Sequence, residues 1–146
     1  MTQTQTKIVI AADPQKIYRF ASATERWPEY LPHYRYVRVL EEDGASRVVE
    51  MAAWRDLIPV RWIARQTNDP ARPHIAFTHL AGWTKGMEVE WRFESEGKRT
   101  QVTIEHRLHF QFPVAADFIG DHIVGAFFIE NVARKTLARM KVLAEG

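Results

Sequence analysis

Residues 87–94 read Met-Glu-Val-Glu-Trp-Arg-Phe-Glu, an unbroken alternation of large apolar and charged side chains. A period of two puts Met87, Val89, Trp91 and Phe93 on one face of a strand, and Glu88, Glu90, Arg92 and Glu94 on the other. A strand with one wet face belongs to an antiparallel sheet whose other face must be covered. After the turn at Glu96-Gly97 the pattern resumes: Val102, Ile104, His106, Leu108 and Phe110 point inward, and Thr103, Glu105, Arg107 and His109 outward. Pro113 then ends the strands. From about Ala115 to Leu143 there is no proline, and Ile119, Ile123, Ala126, Ala133, Leu137 and Met140 recur at helical spacing, with a gap at Glu130. A helix of that length, about 40 Å, is the only element long enough to cover the sheet.

Working back toward the N-terminus, strands are expected over Arg35–Leu40, Val48–Arg55, Val60–Thr67 and Ile75–Leu80, with Asp43-Gly44 as a hairpin turn and 69–73 as a turn cluster. Trp62, Ala64 and Gln66 share one face of the third of these. Asp13-Pro14 is a helix start, with Asp13 as the cap and Pro14 in the first turn. That helix ends near Ser22, and a second short one, capped by Thr24, is limited by Pro28 or Pro32. Ile8–Ile10 reads as a short first strand. The expected fold is α+β: one domain, residues 1–146, with a curved antiparallel sheet of about seven strands wrapped around a long C-terminal helix.

Composition narrows the function. With no cysteine, disulfides and thiolate metal sites are excluded. Met1–Lys7 lacks the apolar core of a signal peptide, and no apolar run approaches the roughly 20 residues that span a bilayer. A soluble, cytoplasmic protein is expected. The net charge of +2 is spread among acids along the strands instead of forming a stripe, so nucleic acid is not an expected partner. The six histidines include no HxxxH pair on the long helix, and His106 and His109 face opposite ways, so neither a metal site nor a cofactor is expected.

A sheet gripping one helix touches it along a line and leaves a gap beside it. The expected lining of that gap is aromatic: Trp27 and Tyr30 from the short helices, Trp62 and Trp91 from strands, Trp83 from the loop after Gly82, together with Phe110, Ile123 and Phe127. The polar groups positioned to reach it are His106, flanked by Ile104 and Leu108, and Gln66 and Glu130. The segments Leu57-Ile58-Pro59 and Val114–Phe118 read either as an entrance or as ordinary packing.

Trp27-Pro-Glu-Tyr-Leu-Pro32 with Val37-Arg-Val-Leu40, Gly82-Trp83 with Trp91-Arg-Phe93, and the helix Asn131–Leu143 resemble the START-like polyketide cyclase/dehydrase and coenzyme Q-binding proteins, of helix-grip fold. The resemblance implies a hydrophobic small-molecule partner, such as a lipid, quinone or polyketide, and a cavity tyrosine at Tyr34 whose hydroxyl donates to it. Its aromatase/cyclases carry an inward Ser and then an inward Arg after the inward tryptophan. Here those positions are Ala64 and Gln66, and Arg65 points to the other face unless a bulge rotates it. Three readings therefore stand: a binder or carrier of a ring-containing apolar ligand, a cyclase or dehydratase with His106 as acid/base, and an interaction module whose gap is filled by its own side chains. Whether the protein is a monomer or a homodimer is left open by the sequence.

Overall fold

The computed structural model describes residues 2–55, 57–82, 84–108 and 116–146, apart from the side chains of Thr2, Arg55 and residues 116–128. Strand β1 (Thr2–Ile10) is followed by helix α1 (Pro14–Ser22), a 3₁₀ turn (Thr24–Arg26) and helix α2 (Trp27–Tyr30). Six strands come next: β2 (Tyr34–Asp43), β3 (Ser46–Arg55), β4 (Ile58–Asp69), β5 (His74–Ala81), β6 (Glu88–Glu96) and β7 (Arg99–Leu108). Helix α3 (Ala116–Glu145) closes the chain. All seven strands form one antiparallel sheet in the order β1-β7-β6-β5-β4-β3-β2. Every neighbour except β1–β7 is a hairpin partner.

The expected fold class is the observed one. Asp13 caps α1, its carboxylate accepting from the Gln15 amide at 2.9 Å. The sheet bends where its register shifts, in β2 between Tyr34 and Tyr36 and between Val39 and Glu41, and in β5, where Leu80 is the extra residue opposite Ile63 and Ala64. Its concave face and the α3 stripe Ile129, Ala133, Leu137, Met140 and Ala144 form the core with Ile10, Ile17, Ala21 and Leu31. Helix α3 lies chiefly against β1 and α1. Its last turns are tied to β1 by Lys141 Nζ donating to the Val9 carbonyl at 3.1 Å and by the Ala11 amide donating to Glu145 at 2.8 Å.

Two differences from the sequence reading have physical causes. Strand β1 begins at Thr2, not at Ile8, and pairs with β7 from Thr2↔Leu108 to Ile10↔Thr100. Its inward positions before Ile8 are Thr4 and Thr6, β-branched residues that suit a strand but carry no apolar signal. On β7, Thr103 and Glu105 lie on the outer face as expected, yet both are buried. Long side chains of the flanking strands close over them: Gln3 donates to Glu105 at 2.6 Å, and Arg92 at 3.0 Å. Arg65 is exposed and bonds Ser46 at 3.3 Å; the nearby register shift has its extra residue in β5, at Leu80, and does not bring Arg65 inward.

Gly82 sits at φ +106°, and a Cβ there would meet the Arg61 carbonyl oxygen at 3.0 Å and the Trp62 Cβ at 3.2 Å. Gly44, at φ +60°, has nothing within 4 Å. Gly82→Ala is therefore expected to cost roughly 2–4 kcal/mol and Gly44→Ala about 1 kcal/mol. Urea denaturation of the two variants checks this; equal losses would show that β4 yields to the added methyl.

Candidate functional site

Between the concave sheet and the second half of α3 lies a cavity of about 70 Å³. Its described walls come from α2 (Trp27), β2 (Tyr34), β3 (Met51), β4 (Trp62), β5 (Phe77, His79), β6 (Val89, Trp91), β7 (Ile104, His106) and α3 (Ile129, Val132, Ala133, Thr136), with Thr84 and Met87 from the β5–β6 connection. Period two on the strands and spacings of three and four on α3 converge these residues on one space. Trp27 is the hub of the aromatic wall. Its ring lies 5.0 Å from Tyr34 in an edge contact, 5.9 Å from Trp91 and 6.4 Å from Phe77. Trp62 stacks on His79 at 5.7 Å with the planes 7° apart.

Two histidines, His79 and His106, bring polarity to this wall, and a third, His33, lies behind it against Thr136. His33 Nε2 is 2.9 Å from the Thr136 hydroxyl, which itself donates to the Val132 carbonyl at 2.8 Å. With its proton committed, the Thr136 oxygen accepts, so the His33 proton resides on Nε2. The Tyr34 hydroxyl meets the same oxygen, and burial raises its pKa. His79 Nδ1 pairs with the Thr84 hydroxyl at 2.8 Å. His106 has no such partner: its Nδ1 is buried and makes no hydrogen bond among the described residues. The surface it retains opens onto the cavity. Opposite it on β1, on the same face, the Thr4 hydroxyl is likewise buried without a described partner. Burial pushes His33 and His79 down to about 4; burial, aided by the charge His79 would carry, pushes His106 down to about 3. All three are neutral imidazoles at pH 7.

Of the residues expected at the site, Trp27, Tyr34, Trp62, Trp91 and His106 line the cavity. Trp83 and Phe110 lie outside the described residues, as do the side chains of Ile123 and Phe127 and the segment Val114–Phe118 apart from the backbone of 116–118. Tyr30, Gln66 and Glu130 are not part of the described lining. The Tyr30 hydroxyl, pushed up to about 12 by burial, donates to the Phe20 carbonyl at 2.8 Å and fastens α2 to the end of α1. Glu130 is half-buried one position from Ile129, which takes the cavity-facing place.

Gln66 is inward and fully buried, but its amide is consumed. It donates to the Ser22 carbonyl and to Asn68 Oδ1, each at 2.9 Å, and accepts from Thr24 at 2.7 Å and Arg47 at 3.3 Å. Arg47 also reaches Thr24 at 2.7 Å and pairs with Glu25. This buried knot holds the 3₁₀ turn on the sheet. His33, His79, Thr84 and Thr136 were missed in the sequence. The alternation Ile75, Phe77, His79 had the same signal as Ile104, His106, and would have identified His79.

The sequence matches the family described as polyketide cyclase / dehydrase and lipid transport over residues 10–141. No curated protein matches it by sequence. Among solved structures, the chain is similar to the Zhui aromatase/cyclase from Streptomyces sp. R1128, with TM-score 0.85 and 21% identity, covering 99% of this chain and 93% of that one. A protein of Thermus thermophilus superposes with TM-score 0.78 and 20% identity, covering 98% and 99% of the two chains. A START superfamily protein from Mycobacterium smegmatis gives TM-score 0.73 and 15% identity, covering 97% and 98%. Identities this low carry the fold alone.

The three histidines give stability a defined pH dependence. Each binds fewer protons folded than unfolded between its depressed value and the ordinary 6.5, so their contribution is complete above 6.5 and is lost as pH falls toward 4 or below. At pH 5 the loss is roughly 2 kcal/mol per histidine. The held-down carboxylates, Glu90 and Glu105 among them, withdraw their support only below about 4.5. Denaturant midpoints are therefore expected to fall between pH 7 and pH 5, with a shallower slope in His106→Leu. A flat profile across that window would mean the imidazoles are hydrated.

Proposed function

The chain belongs to the polyketide cyclase / dehydrase and lipid transport family, and on that premise we propose that it binds an apolar, ring-bearing small molecule between the sheet and the C-terminal helix. The observation that carries this reading is the aromatic cavity with His106 in its wall, whose buried Nδ1 has no partner among the described residues. A buried nitrogen left without a partner costs about 1–3 kcal/mol. A ligand hydroxyl or carbonyl that reached this nitrogen on displacing the side chains over it would offset that cost, and the tryptophan rings would supply stacking and apolar area.

The depressed basicity of His106 favours binding over turnover. An imidazole with a pKa of about 3 is a weak base for withdrawing a proton next to a carbonyl, and at pH 7 it holds no second proton to donate as an acid. Ala64 and Gln66 add to this. The positions where the family's aromatase/cyclases carry Ser and Arg hold a methyl group and an amide already committed to the 3₁₀ turn.

A second reading has its own observation. The cavity, about 70 Å³, is smaller than the roughly 150 Å³ in which a buried benzene ring is accommodated. A ligand would have to displace side chains, of which Met51 and Met87 are the most adaptable. If they do not move, the cavity is packing and the chain acts through its surface.

Native mass spectrometry of the protein purified from its own host separates these readings. A stoichiometric apolar passenger is expected. With that ligand in hand, His106→Ala should change affinity only a few-fold, whereas loss of a measurable cyclisation by about 10²-fold would establish the cyclase instead. A clean unliganded mass, with no uptake of added quinone or fatty acid, would leave the filled-cavity reading.

A further inference from the structure

The tip of the β3–β4 hairpin is at odds with a protein surface built for water. Leu57 is 92% exposed, Ile58 55% and Trp54 40%. Scattered exposed apolar residues are ordinary, but three bulky ones on a single tip form a patch that calls for an apolar partner. Beside the tip runs an open groove lined by Pro32, His33, Trp54, Leu57, Lys135, Ala138 and Arg139. Its described lining includes two cationic side chains and a histidine, and Arg139 donates through Nε to the Tyr30 carbonyl at 3.1 Å. A third cation joins from β2: the Arg35 guanidinium lies 5.0 Å from the Trp54 ring.

We propose that this tip and groove dock the protein on an anionic lipid bilayer, with Leu57 and Ile58 entering the acyl boundary, Trp54 at the interface and Arg35 and Arg139 among the headgroups. That division of labour is the one physical chemistry assigns to interfacial anchors: apolar area for depth, an indole at the boundary, cations for negatively charged lipid. The shape of the patch favours a bilayer over a protein partner. A protruding leucine needs a matching pocket on a protein, whereas it can enter a fluid apolar phase without one. Among the described residues no helix is long and apolar enough to cross a membrane, so the contact would be peripheral.

The position of the patch gives the docking a purpose, which rests on the ligand reading above. His33 lines the groove, and its hydrogen-bond partner Thr136 lines the cavity. One layer, His33 with Thr136, therefore separates the groove from the aromatic space. A docked molecule would present that thin wall to the phase in which an apolar ligand concentrates.

The test is flotation of the purified full chain with phosphatidylcholine vesicles, with and without phosphatidylglycerol, at low and raised ionic strength. The wild type is expected to float with the phosphatidylglycerol vesicles, less with phosphatidylcholine alone, and less at raised salt. The double variant Leu57→Glu, Ile58→Glu should bind at least about tenfold less. Its thermal melt should be unchanged, because both side chains stand in solvent. A wild type that stays in solution, or a variant that floats equally well, would overturn the proposal. So would a wild-type dimer in sedimentation that the double variant abolishes while neither form binds vesicles, since the patch would then face a second copy. A passenger seen by native mass spectrometry without flotation would refute the docking and leave the ligand reading intact. Flotation without any passenger would do the reverse.

Discussion

Seven strands spaced about 4.8 Å apart make a sheet roughly 30 Å across, while a helix with its side chains is only about 10 Å wide. One helix cannot cover such a face, and here it lies toward the β1 edge. The remaining apolar surface must be buried by other means. The sheet curls, through the register shifts in β2 and β5, and the largest side chains in the chain fill what curling leaves. Trp27 is placed at the centre of that filling by the short α2, so a four-residue helix has a structural weight far beyond its length.

That weight explains the polar knot beneath it. A 3₁₀ turn and a single turn of helix have too few internal hydrogen bonds to hold a position alone. Gln66, Thr24, Arg47 and the Ser22 carbonyl hold the turn from below, and Tyr30 and the Trp27 indole hold α2 from the side through the Phe20 carbonyl. Every amide hydrogen and lone pair of Gln66 is engaged, which is the condition under which a buried amide supports a fold. The same polarity placed in the cavity would have been free to meet a ligand. The chain uses it to position the aromatic wall instead.

The parts of the fold written in local periodicity were legible from the sequence: the β6 alternation at Met87–Phe93, the Asp13-Pro14 cap, and the face of α3 bearing Ala133, Leu137 and Met140. Strand β1 was only partly legible, because its inward threonines look like surface until β7 is paired beside them. At the site, the sequence could place a side chain on a face but not say what it would find there. Gln66 and Tyr30 point where expected, and their partners come from a carbonyl 44 residues away in one case and 10 in the other. His33 follows a proline at the end of a short helix, with no period to declare its direction, and its partner Thr136 lies 103 residues on.

The three buried histidines show the difference between polarity that builds and polarity that waits. His33 and His79 each meet a threonine hydroxyl, so their desolvation is offset by a bond within the fold. His106 as a whole is half-buried, but its Nδ1 is fully buried and has no such offset among the described residues, and the Thr4 hydroxyl across the ladder does not supply one. Replacing both groups with apolar ones of similar shape would relieve the cost, since a core can be built without them. Left unpaired among the described residues, the pair is a cost to the empty protein, and an occupant that reached the His106 nitrogen would stabilise the fold by lowering it.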